Sequence, residues 1–152
     1  MKNLFYLLIL LIVCTPNVMA EKLTAICKDP EGWSAYFKKN TSPEIETDRM
    51  KDTIQTYTWE LGSDIADIVM QDIASLGGSP SSHKAIVIPI SKKQIVFLIK
   101  NIDSLEMHTM FTDLGKVVIN YSYDLSFRLP QKIPSVITNK VLFANCKVTI
   151  NK

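Results

Sequence analysis

The chain has 152 residues, with 17 Lys and Arg against 15 Asp and Glu and a formal net charge of +2. That balance, with no cluster of like charges, excludes a nucleic acid or an anionic membrane held by bulk charge, because both need grouped Lys and Arg. The length allows one domain with a single core.

Lys2 precedes an apolar run from Leu4 to Val13, too short to span a bilayer and the right size for the h-region of a signal peptide. Pro16 breaks the helix, and Val18-Met19-Ala20 supplies small or apolar residues at a cleavage site before Glu21. The pattern predicts a signal peptide over 1–20 and a single β-domain over 21–152. The expected product is periplasmic or secreted, with no transmembrane segment after cleavage. Leu11-Ile12-Val13-Cys14 offers an alternative, a lipoprotein anchored through Cys14, although bulky Val13 stands where such motifs want Gly, Ala or Ser.

Beyond residue 20 only Cys27 and Cys146 remain, and an exported chain with two cysteines most economically forms one disulfide. Cys27 alternates with Leu23 and Ala25, and Cys146 with Leu142, Ala144, Val148 and Ile150, so both sulfurs are expected to point inward. Such a bridge ties the first strand to the last.

Taken in order, Leu23 to Lys28 reads as a strand. Asp29-Pro30-Glu31-Gly32 reads as a turn and Trp33 to Lys38 as the second arm of a hairpin. Asn40 to Met50 is polar, acidic and interrupted by Pro43, which predicts a surface loop. Glu44, Glu46 and Asp48 lack the Gly and ligand spacing of a calcium loop. Asp52 to Glu60 is a third strand with Tyr57 and Trp59 in phase. Over 63–76 two periods compete. Ile65, Ile68, Val69 and Leu76 fit a short helix capped by Ser63, whereas Ala66, Ile68 and Met70 fit one face of a strand, which the surrounding strands favour. Gly77 to Ser82 is a loop without a phosphate-binding pattern.

From Lys84 to Asp124 the apolar runs AIVI, QIVFLI, LEMHTMF and KVVINYSY are separated by short polar breaks, the mark of a β-meander. Pro89 lacks a backbone donor, so its strand is expected to end there or lie at an edge. Ile95 to Ile99 is apolar on both faces, as in a strand covered on two sides. Leu105, Met107 and Phe111 face one way, and Glu106, His108 and Met110 the other, which is expected to be solvated. Val117, Ile119, Tyr121 and Tyr123 form an inner set. Pro130 and Pro134 flank a loop or broken edge strand, and Val141 to Ile150 closes the chain. The fold class is all-β, an antiparallel meander of about 8–10 strands closed as a small barrel or sandwich, with at most one short helix at 63–76.

Candidate chemistry is sparse. His83 and His108 lack the spacing of a metal pair, and no nucleophile elbow, zinc-protease or glycine-rich motif is present. Neither catalytic residues nor a metal or cofactor are predicted. The aromatics offer more: Trp33, Tyr57 and Trp59 in the first strands are candidates to line a barrel mouth and stack on a ring or apolar ligand.

The early Cys, the Gly-containing turn, the paired apolar hairpins and the late Phe143-Ala144-Asn145-Cys146 together resemble many small exported bacterial proteins of uncharacterised function. The resemblance implies a periplasmic or secreted β-domain and transfers no site residues. The expected function is a non-catalytic binding module for a small apolar or ring-containing ligand. The alternative is an envelope accessory protein that binds another protein through an exposed strand edge near Pro89 or Pro130 to Pro134. A hydrolase-like enzyme with His108 as base is a third reading.

Overall fold

A computed structural model describes residues 20–38, 42–72, 79–102, 104–124 and 136–151. The readings of residues 1–19, of Gly77 and Gly78, and of the Pro130 to Pro134 segment lie outside these residues. The described chain is all-β, with nine strands: β1 (Lys22–Lys38), β2 (Glu44–Arg49), β3 (Thr53–Glu60), β4 (Ile65–Asp72), β5 (Ser81–Ser91), β6 (Gln94–Lys100), β7 (Ser104–Phe111), β8 (Lys116–Asp124) and β9 (Val136–Asn151). All pairings are antiparallel, and β1 pairs with both β3 and β9, so eight strands close a barrel. β2 is the extra strand, which among the described residues pairs in the sheet with β1.

β1 corrects the expected hairpin. It runs unbroken for 17 residues, and Asp29-Pro30 forms a bulge where the register against β9 shifts between Lys28 and Glu31. Asp29 adopts φ +47°, and its carboxylate accepts the backbone N–H of Asp52 at 2.7 Å. Pro30 has no N–H for a ladder, and its carbonyl accepts from Met50 N. Before the bulge β1 pairs with β3. After it β1 pairs with β2, so part of the expected acidic loop is a strand.

The 63–76 ambiguity resolves to strand over Ile65–Asp72, and no helix occurs among the described residues. β4 must serve both β3 and β5, and its alternation buries Ala66 and Ile68. Ser63 caps no helix and instead supports a tight turn, its hydroxyl accepting from Ile65 N at 3.1 Å. β5 also continues past Pro89, contrary to expectation. Val87 donates to Asp64 just below the start of β4, so the nitrogen of Pro89, two residues on, points beyond the end of β4 where no ladder bond is lost. The register against β6 shifts immediately afterwards. Pro89 is therefore not on a free edge.

Cys27 stands directly opposite Cys146 and is bonded to it. Cys27 is fully buried and Cys146 packs against the core. The barrel interior is graded along its axis. Near the end closed by the turns at 61–64, 92–93 and 112–115 the buried side chains are apolar, among them Leu23, Val87, Ile95 and Val117. Toward the opposite end they become polar: Ser34, Thr53, Gln55, Glu106, His108 and Thr138.

Candidate functional site

The three aromatics singled out from sequence are not brought together. Trp33 follows the β1 bulge and points outward, 54% exposed, with its ring edge-on to Phe143 at 6.0 Å. Tyr57 lies at the centre of the barrel, fully buried against Phe97 at 5.3 Å. Trp59, two residues further along the same inward face of β3, reaches the turn end.

There Trp59 forms the wall of a pocket of about 380 Å³, lined by Leu23, Leu61, Pro89, Ile95 and Ile150, with Glu21, Asp64 and Lys92 among its polar members. Its indole Nε1 donates to the carbonyl of Ser63 at 2.7 Å, which fixes the ring and satisfies its one polar atom. The β3–β4 turn that supplies this carbonyl is tight because Gly62 takes φ +94°. Leu23 and Ile95, both buried, make the apolar floor. Sequence reasoning singles out Trp59 and not Leu61, Pro89, Ile95 or Ile150, which line the same pocket. They come from four separate parts of the chain, and only the register of the closed barrel brings them to one rim.

The second grouping is polar and internal. The Tyr57 hydroxyl donates to Gln55 Oε1 at 3.1 Å, and Gln55 Nε2 donates to the Tyr121 hydroxyl at 3.3 Å. His108 Nδ1 is 2.7 Å from the Tyr57 oxygen. His108 Nε2 faces Glu106 Oε2 at 3.4 Å, and Asn101 Nδ2 donates to the other carboxylate oxygen at 3.3 Å. Burial pushes the Tyr57 hydroxyl well above its ordinary range, with the neighbouring Tyr121 and Glu106 adding to the effect. Burial, then Glu106, does the same for Tyr121.

The expectation of a solvated Glu106–His108 face is thus overturned, since both are buried. The interior of this half offers Tyr57, Gln55 and Asn101 as partners, so a polar strand face can turn inward without orphaned groups. Both ring nitrogens of His108 are engaged, and neither contacts a serine, threonine or cysteine among the described hydrogen bonds. Glu106 forms the inner limit of an open depression also lined by His83, Lys100, Asn101, Ser104 and Tyr123.

The acidic stretch is built into β2. Asp48 accepts from the Ser34 hydroxyl at 2.5 Å and pairs with Lys140 at 2.7 Å. Burial alone would raise its carboxyl, but the hydrogen bonds from Lys140 and Ser34 hold it below its ordinary value. Among the described residues no group of three or more His, Cys, Asp or Glu is placed to hold a metal ion. Set against known proteins, the chain matches no family model, and no curated protein matches its sequence.

Proposed function

We propose that the chain is a non-catalytic binding module that takes a small apolar or ring-containing ligand in the pocket walled by Trp59. The observation that carries this reading is the geometry at the turn end. A ring is held rigidly by Ser63 above an apolar floor, in a pocket whose size suits a small molecule. The engagement of both His108 nitrogens in structural bonds supports a non-catalytic role, because a general base needs one of them for the reacting group. The Cys27–Cys146 bridge supports an oxidising, exported setting.

The test is a fluorescence titration with N-phenyl-1-naphthylamine on the wild-type chain and on Ile150→Glu, an exposed rim position. One-to-one saturable binding, weakened at least tenfold by the substitution with unchanged circular dichroism, is the expected result. Absence of saturable binding, or binding indifferent to both Ile150→Glu and Leu61→Glu, defeats the reading.

One observation favours a second reading, an envelope accessory protein that captures a partner by strand addition. Among the described residues β2 pairs in the sheet with β1, and Ile45 on it and Trp33 beside it are exposed. A proline at Thr47 in β2 would abolish capture of such a partner and leave probe binding intact.

A further inference from the structure

β6 is apolar on both faces, the pattern of a strand covered on two sides. The barrel covers one of them. Ile95, Phe97 and Ile99 are buried, while Val96 and Leu98 point to the outside. The register shows what lies around them. Ile65, Ile86, Leu98 and Met107 stand directly opposite one another on β4, β5, β6 and β7. The adjacent row carries Ile88, Val96 and Thr109. Neither row contains a charged side chain. Ile86 is 55% exposed, and Leu105, diagonal to Met107's row, 51%.

Strands stand about 4.8 Å apart and same-face residues about 6.8 Å apart along a strand, so the patch has a footprint on the order of 300–400 Å². That is within the range of the largest apolar patch on a protein surface, which is often functional. It is roughly the apolar core of an interface that takes about 800 Å² from each partner.

We propose that this outer wall of β4 to β7 is the face on which a second copy of the chain packs, sheet on sheet, about a two-fold axis. Three features select a second copy. The wall is a continuous sheet surface of aliphatic residues, the kind of face that interdigitates with another like it. It carries no charge in its two central rows, so like meets like without repulsion. Lys84 and Lys93, on the flanks, are already paired with Asp67 at 2.6 Å and Asp113 at 3.3 Å, which leaves little for an anionic surface to attract. Lys100 stands at the margin next to Leu105. A two-fold axis running across the strands places it over the opposite end of the other copy, away from its own counterpart.

Size-exclusion chromatography with light scattering on the disulfide-intact protein, at about 10 and 100 μM, tests this. Three variants accompany the wild type: Leu98→Glu, Met107→Glu and, on the opposite wall in β1, Thr24→Glu. The wild type and Thr24→Glu are expected to run at twice the chain mass. The two wall variants are expected to be monomeric, with circular dichroism unchanged and a dissociation constant raised at least a hundredfold. A monomeric wild type at both concentrations overturns the proposal, as does a dimer that survives both wall substitutions or that Thr24→Glu also dissociates. A monomer that sediments with anionic vesicles through Leu98 assigns the wall to lipid and equally overturns it. Because Ile150 is outside this wall, failure here leaves the pocket test untouched.

Discussion

The hydroxyl of Tyr57 lies 2.7 Å from Nδ1 of His108, a bond that crosses the barrel interior between β3 and β7, strands that are not neighbours in the sheet. It is the central link of a chain running from Tyr121 through Gln55, Tyr57 and His108 to Glu106. Tyr57→Phe keeps the ring against Phe97 and removes one oxygen. Gln55 Oε1 and His108 Nδ1 are then left without their partner in a buried site, at a cost of about 1–3 kcal/mol. Urea unfolding of Tyr57→Phe, His108→Leu and the double variant checks this. The double variant is expected to lose less than the two singles combined. Strict additivity would show that the bond contributes nothing beyond its parts.

How much of this was legible beforehand depended on the range of the interaction. The meander from Lys84 to Asp124, the inward phase of Val117, Ile119, Tyr121 and Tyr123, and the Cys27–Cys146 pairing follow from period-2 alternation and from the count of cysteines, both readable along the chain. Asp-Pro-x-Gly suits a turn or a bulge equally, and what decides is the acceptor that Asp29 offers to Asp52, 23 residues away. The burial of His108 is not legible because alternation assigns residues to faces but does not say which face is inside. The Tyr57 and Gln55 partners that make the interior hospitable lie on another strand. The Trp59 pocket was half legible: the indole was visible in the sequence, but its floor and rim required the closed register.

Cys27 and Cys146 face each other across β1 and β9, closing a loop with a sequence separation of 119. Bridging so long a loop restricts the unfolded chain by roughly 4 to 5 kcal/mol in the chain-entropy model. Replacing both cysteines with alanine is expected to shift the urea midpoint by a corresponding amount, and reduction of the wild type to shift it likewise. A midpoint indifferent to reductant would show that the strand ladder alone closes the barrel.

Gly32 sits where β1, just past its bulge, crosses close to β9. A Cβ there would meet the backbone carbonyl oxygen of Val141, which cannot rotate away as a side chain can. Gly32→Ala must push the two longest strands apart at the Gly32–Leu142 pair. The expected cost is about 3 kcal/mol or more, in the range that marks a specific steric cause. Gly62→Ala meets nothing within 4 Å and pays only for its positive φ, about 1 kcal/mol. Thermal unfolding of the two variants side by side distinguishes contact from conformational strain. Equal losses would refute the close-approach argument.

Asp48 ties the extra strand to the barrel, through Ser34 on β1 and Lys140 on β9. Its folded carboxyl is held below the ordinary value, so the stability it adds is present above the unfolded pKa of about 3.9 and is lost as pH falls through the folded pKa. Asp48→Asn removes the charge but keeps the shape. At neutral pH the variant is expected to be less stable by about 1–2 kcal/mol, the worth of hydrogen bonds to a partly buried charge. As pH falls below the unfolded pKa and on through the lower folded one, the wild type progressively forfeits that contribution, so the two melting temperatures converge. Melting curves from pH 7 down to pH 2 check the sign as well as the size. A gap that stays constant to the lowest pH would place the effect in packing around β2 and not in the Asp48–Lys140 charge pair.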